Sequence, residues 1–255
     1  MSQLLEFATL LDEAAQSASA TAQIDPEGKM PLADAYAVQA ASIQRRVERG
    51  ERRVGVKMGF TSRAKMIQMG IGDVIWGRLT HSMQVEEGAS VPFSRFVHPR
   101  VEPELAFVLK KPLAGDVTAV EALAAVEAIA PALEIIDSRY QDFKFSLPDV
   151  VADNASSSGF VVGAWSDPCQ DFSNLGLVMS VDGRPVQVGS TAAILGHPLR
   201  SLVAAARLSA AAGEPLQAGW IVMAGGATPA EWIEPGRYVS VDMERLGCAG
   251  FHVHP

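Results

Sequence analysis

The chain is expected to fold as an α+β protein, with helices dominating the first third and strands the remainder. Three observations carry that expectation. Helical periodicity is concentrated in residues 3–49. After Val54 the pattern becomes short apolar runs punctuated by Gly and Pro, with hairpin signals and few regular strand–helix–strand units. No Gly-rich dinucleotide or phosphate-loop signature occurs, and Gly225-Gly226 reads as a turn. A largely antiparallel or mixed sheet is favoured over a doubly wound one.

Residues 3–17 place Leu4, Phe7, Leu11 and Ala14 on one helical stripe. A link containing Asp25, Pro26, Gly28 and Pro31 precedes a second helix from Leu32 to Arg49, stopped by Gly50. The charged stretch from Arg45 to Arg53 reads as a solvated face. VGVKMGF (54–60) reads as a strand, and TSRAKMIQMG (61–70) as a short helix capped by Thr61 or Ser62. VEPELAFVLKKPL (101–113) is a strand and DVTAVEALAAVEAIA (116–130) a helix, followed by a strand at PALEIIDS (131–138). Further strands are expected at 159–165, 174–183, 184–190, 219–226 and 238–244, with Asp182-Gly183 as a hairpin turn. A last helix runs from Pro198 to Ala212 and stops at Gly213, and His252 and His254 read as a frayed tail.

Composition narrows the function. Of 255 residues, 48% are hydrophobic and 20% charged, which excludes intrinsic disorder. The net charge of −8 argues against nucleic acid or an anionic membrane as the main partner. Two cysteines give neither a disulfide framework nor a zinc pattern and fit a reducing cytoplasm. The first residues lack the basic start of a secretory signal, and no apolar run approaches the roughly 18 residues of a membrane span. A cytoplasmic location is expected.

Glu102 and Glu104 carry the most chemical information. At i and i+2 of a strand they project from one face, where two like charges need a shared cation or proton. Glu134 is a third carboxylate in an apolar strand segment. Three such groups suit a hard divalent cation, Mg²⁺ or Mn²⁺; salt bridges to Arg100, Arg139 or Lys57 are the alternative. Lys57, in an apolar strand, either snorkels to the surface or stands as a fixed cation or amine nucleophile. The polar stretch DVVADNASSSGFVVG (149–163) brings Asn154, Ser156 and Ser158 to a pocket or forms a Ser-rich turn. No G-x-S-x-G elbow or zinc-spaced histidines are present.

The blocks VGVKMGFTSRAKMIQMG, HPRVEPELAFVL, APALEIIDSRY, VADNASSSGFVVG, GHPL and AGWIVMAGGATPAE together resemble the fumarylacetoacetate hydrolase superfamily. Within it the chain is similar to the branch of vinylpyruvate hydratases and 4-oxalocrotonate decarboxylases of aromatic meta-cleavage pathways. The resemblance implies a mixed β-roll core with surrounding helices: a helical region at 1–53 packed on a catalytic domain at 54–255. It implies a Mg²⁺ or Mn²⁺ site at Glu102, Glu104 and Glu134, Lys57 at the active site, and a pocket lined by Ser156 and the Gly225–Thr228 loop, with Thr228 on substrate. Hydratases similar to this chain carry an acid where Ile75 stands and tend to read A-L-G-P at 225–228. Ile75 is therefore a candidate substrate contact, and the Ile75-Trp76 segment a candidate lid. The decarboxylase reading is preferred: CO₂ loss from a 2-oxo dicarboxylate, 4-oxalocrotonate, leaving 2-hydroxypenta-2,4-dienoate. Arg63, Arg78 or Arg139 would orient the leaving carboxylate. The alternatives are hydration of that dienoate and a non-catalytic subunit stabilising a hydratase. The resemblance also implies a homo-oligomer and a possible complex with a vinylpyruvate hydratase.

Overall fold

The computed structural model describes residues 2–62, 66–67 and 70–255; the helix expected at 61–70 falls largely outside them. The chain opens with two helices, α1 (Gln3–Ser17) and α2 (Leu32–Glu48), as the periodicity requires. Asp12 clamps them together. Its fully buried carboxylate accepts from Arg45 Nε at 2.8 Å and from Arg49 Nη1 and Nη2 at 2.7 and 2.6 Å. Burial alone would raise the Asp12 pKa, but the two guanidinium groups reverse the effect and hold it below the usual range. Asp12→Ala strands two cations beside an apolar contact. We expect a loss of roughly 2–3 kcal/mol, allowing for the partly exposed arginines, read as a lower urea midpoint.

The remaining chain builds two sheets. The larger joins β1 (Arg53–Gly59), β2 (Ile75–Thr80), β3 (Gln84–Val85), β5 (Arg100–Leu109), β6 (Val126–Ile136), β7 (Ser157–Val162), β10 (Ile221–Met223) and β11 (Glu231–Trp232). Its order is β2-β1-β10-β5-β6-β7-β3, with β11 also paired to β5. The smaller sheet has the order β4-β13-β12-β8-β9. Its strands are β4 (Ser90–Pro92), β8 (Gly176–Val181), β9 (Arg184–Ser190), β12 (Tyr238–Met243) and β13 (Gly247–His254). The pairs β1–β10, β3–β7 and β4–β13 are parallel and the others antiparallel, so the expected mixed sheet is borne out.

Three further helices with described bounds are α3 (Ala119–Ala124), α4 (Leu147–Ala152) and α5 (Pro198–Ala211). The inner face of the large sheet, with Leu105, Phe107, Ile129 and Leu133, joins one core with Val239, Val241 and Phe251 of the small sheet and Leu202 and Ala206 of α5. Gln39 of α2 ties the N-terminal helices to this body, donating to Trp76 O at 3.2 Å and Val151 O at 2.6 Å.

Three expectations are corrected. The helix over 116–130 is only α3, set by a Thr118/Glu121 capping box, and residues 126–130 belong to β6. The run VEAIA fits either periodicity, and pairing with the ten-residue β5, which buries Val126 and Ile129 completely, decides it. Ile75 and Trp76 are no lid. They open β2, paired along β1, and Trp76 stacks on Tyr36 with ring centroids 5.7 Å apart. His252 and His254 are not a frayed tail but exposed positions of β13, held between β12 and β4.

Candidate active site

Pleating and register bring the acidic residues together. Glu102 of β5 lies directly opposite Glu134 of β6, and Glu104 follows Glu102 on the same face. One carboxylate oxygen from each lies within 4.8 Å of the others. Lys57 reaches this face through the pairs Lys57–Met223 and Met223–Ala106, because paired residues point the same way. All four side chains are buried.

Lys57 Nζ stands 3.0 Å from Glu134 Oε2, at angles outside hydrogen-bond geometry, and donates to Ala155 O at 2.9 Å. Glu104 Oε2 accepts from Gly225 N–H at 2.7 Å. Glu104 Oε1 and Glu134 Oε1 are buried without a hydrogen-bond partner. Burial pushes the Glu104 pKa well above the usual carboxylate range, the Glu134 charge pushes it further, and Lys57 opposes. Glu134 is raised chiefly by burial, again against Lys57. Lys57 is itself raised: burial pulls it down, but the charges of Glu134, Glu104 and Glu102 outweigh that.

Among the described residues one ammonium, Lys57, faces the buried Glu104 and Glu134, and an oxygen of each has no hydrogen-bond partner. A small divalent cation preferring oxygen donors fits this set on charge and ligand type. The 225–228 loop approaches closely enough to exclude a side chain: a Cβ on Gly226 would lie 2.4 Å from Glu102 Oε2, and one on Gly225 (φ +103°) 2.2 Å from Thr61 Oγ1.

A cavity of about 420 Å³ opens over the cluster. Lys57, Glu102, Arg100 and Ser156 supply its polar wall, and Phe60, Ile75, Ile136, Phe143, Phe145 and Val150 its apolar wall. A larger groove, about 630 Å³, lies between α2 and the Glu214 segment, but its charged groups are mutually paired arginines and Glu214. The chemistry points to the smaller cavity.

The Asn154–Ser156 turn is strained. Asn154, Ala155 and Ser156 have φ of 52°, 51° and 60°, each costing roughly 1–2 kcal/mol for a residue with a Cβ. Asn154 offsets this by pairing with β2 as a strand would: Arg78 N–H donates to its Oδ1 at 2.7 Å, and its Nδ2 donates to Arg78 O at 2.9 Å. The turn thereby aims the Ala155 carbonyl at Lys57 and leaves Ser156 Oγ buried and unpaired beside the cavity.

A family model for the C-terminal region of fumarylacetoacetate hydrolase matches residues 55–254. The chain belongs to the fumarylacetoacetate hydrolase family. It is 59% identical to a 4-oxalocrotonate decarboxylase of a Pseudomonas species, the match covering 96% of each chain. It is 38% identical to a 2-keto-4-pentenoate hydratase of Paraburkholderia xenovorans (strain LB400), over 95% of this chain and 91% of the relative. Among solved structures it is similar to the 4-oxalocrotonate decarboxylase from Pseudomonas putida G7 complexed with magnesium and adipate. That comparison gives a TM-score of 0.95 at 38% identity, covering 98% of this chain and 97% of that one.

Within this family fold, Lys57, Glu102, Ser156 and Ile75 line one cavity, and Glu104 and Glu134 lie beneath it. Thr228 does not line it; its hydroxyl donates to Pro229 O at 3.0 Å, and Pro229 and Ala230 form the wall instead. Arg78 and Arg139 are not available to a leaving carboxylate. Arg78 grips Glu214 and Gln39, and Arg139 grips Asp153 and Ser158. Arg63 lies outside the described residues.

Among the described residues the arginine on the cavity wall is Arg100, which the sequence offers only as a salt-bridge partner of the acidic residues. Its guanidinium carbon lies 4.1 Å from the Phe143 ring centroid and 3.9 Å from that of Trp232, in a corner between the two rings. Among the described residues it makes no ion pair, and its buried Nε has no hydrogen-bond partner. Burial lowers its pKa, with Glu102 opposing. The signal was present in its position two residues before Glu102. Phe143, at φ +57° in an irregular segment, carried none.

Proposed function

We propose that the chain is a divalent-metal-dependent carboxy-lyase converting 4-oxalocrotonate, (3E)-2-oxohex-3-enedioate, to 2-hydroxypenta-2,4-dienoate and CO₂ in aromatic meta-cleavage catabolism. One observation carries the reading: three buried carboxylates, two of them (Glu104 and Glu134) with oxygens that have no hydrogen-bond partner among the described residues, lie under a cavity whose wall holds Arg100, which makes no ion pair among those residues. The cavity thus offers an anion-binding group apart from the acidic cluster, as a dicarboxylate requires. Similarity to decarboxylases at up to 59% identity, against 38% for the hydratase above, supports the same choice.

Glu102, Glu104 and Glu134 would hold Mg²⁺, or Mn²⁺. The bound cation supplies Lewis-acid withdrawal of negative charge from the C2 carbonyl oxygen. Lys57 offsets the acidic cluster so that an anionic substrate can enter, and its Nζ, fixed by Ala155 O and Glu134, can hold a proton beside the developing dienolate. Arg100 receives the remote carboxylate. Loss of CO₂ from C6 leaves an electron pair on C5, which conjugation through C3–C4 carries to the C2 oxygen. Ser156 Oγ offers a donor to the substrate, and Pro229 and Ala230, which follow the 225–228 loop, shape the wall. Ile75, Phe60, Phe145 and Val150 exclude water, and an apolar residue at 75 favours CO₂ loss over hydration.

The test is a spectrophotometric assay on 4-oxalocrotonate with CO₂ detection, in Mg²⁺ and in EDTA. Metal-dependent CO₂ release is expected. Undiminished activity after chelation, or hydration of the dienoate without CO₂ release from the dicarboxylate, overturns the proposal.

The raised pKa values of Glu104 and Glu134 also set a pH dependence. Both stay protonated above the usual 4.5, and those protons must leave when the cation binds. Mg²⁺ affinity should therefore rise with pH from that range upward, with proton release visible by calorimetry in buffers of different ionisation enthalpy. A pH-independent affinity would contradict this.

The same reading takes residues 1–53 as a helical region packed on a catalytic 54–255 domain, a boundary next to the start of the family match. It takes the enzyme as cytoplasmic and homo-oligomeric, in reach of a vinylpyruvate hydratase that consumes its unstable dienol. No described helix is long and apolar enough to cross a membrane.

A further inference from the structure

A separate cavity of about 280 Å³ opens where the ends of α1 and α2 meet the segments around Ser82, Arg95 and Arg139. Arg46, Arg49, Arg95 and Arg139 all line it. Three of these guanidinium groups are engaged: Arg49 on Asp12, Arg139 on Asp153, and Arg95 on the Ser82 carbonyl at 2.6 Å. Arg46 differs. Its side chain makes no hydrogen bond and no ion pair among the described residues, although burial pulls its pKa below the usual arginine value, against the charge of Glu51. The carboxylates on the walls are already engaged elsewhere. Glu51 accepts from Thr80 and Ser82, and Asp137 from the amides of Val97 and His98.

Arg46 is half-buried and keeps its guanidinium donors free of hydrogen bonds among the described residues, and guanidinium forks match the oxygens of carboxylates and phosphates. Ser158 adds a donor: its oxygen accepts from Arg139, which leaves its own proton free. We infer that this cavity binds a small oxyanion of the phosphate class, held by Arg46 with Arg95 and Ser158, at a site separate from the carboxylate cluster. The anion would share Arg139 with Asp153, the residue preceding the strained Asn154–Ser156 turn.

The inference is tested on the Mg²⁺-loaded enzyme with inorganic phosphate as probe, by calorimetry and thermal melting at matched ionic strength. Three proteins are compared: wild type, Arg46→Gln, and Arg100→Gln as a control for binding in the other cavity. One phosphate per chain and a raised Tm are expected in the wild type. Affinity should fall at least tenfold in Arg46→Gln, with Tm in chloride and basal turnover retained, and should be unchanged in Arg100→Gln. Phosphate binding insensitive to Arg46→Gln, or lost only in Arg100→Gln, overturns the inference. So does a wild type that binds no phosphate while Arg46→Gln dissociates an oligomer, since a second copy would then fill the cavity.

Discussion

Glu104→Gln should abolish metal-dependent turnover and leave the chain folded. Gln keeps the shape and an oxygen able to accept from Gly225 N–H, so the local hydrogen bond survives. It removes the charge that a hard cation needs. Loss of outer partners alone costs metal sites roughly 10–100-fold in affinity, so loss of a direct ligand should exceed ~10²-fold. Stability separates this account from a structural ion cluster. In EDTA, the amide resembles the protonated carboxyl that burial already favours at Glu104, so the variant should melt no lower than the wild type. With Mg²⁺ at about 100 times its Kd, the wild type should gain roughly 2.7 kcal/mol, or about 5–10 °C, and the variant almost nothing. A variant that melts several degrees lower in EDTA, or retains the Mg²⁺ gain, would show that Glu104 serves the fold instead.

Arg100→Gln should damage recognition of the second carboxylate specifically. A hydrogen bond to a charged group contributes roughly 1.5–3 kcal/mol, which converts to a 10- to 150-fold loss of affinity. The loss should appear for a six-carbon dicarboxylate inhibitor and be nearly absent for its monocarboxylate analogue. The corner of Phe143 and Trp232 that orients the guanidinium gives a graded second variant: Phe143→Leu should cost less, and in the same direction. Equal weakening of both inhibitors would mean that Arg100 only shapes the wall.

Much of this site was legible because it obeys strand periodicity. Glu102 and Glu104 are two apart, and the face they share follows from pleating alone. Glu134 could be suspected from its apolar surroundings, but its place opposite Glu102 depends on register, which no local signal encoded. Arg100 obeys the same two-residue period, but an arginine beside acids reads first as their counter-ion. Thr228 lies in the right loop with its hydroxyl turned to Pro229, an orientation that no sequence pattern encodes. The misread helix at 126–130 has the same origin as the hidden register: a short apolar run suits both periods until a partner strand selects one.

The placement of β13 has a consequence for biogenesis. This strand lies inside the small sheet, between β4 and β12, and it alone gives β4 a neighbour. Residues 90–92 therefore wait for residues 252–254 to leave the ribosome before that sheet can close. A nascent chain in which residues 247–254 have not yet emerged would expose an open strand edge, and chaperone demand should concentrate in that interval.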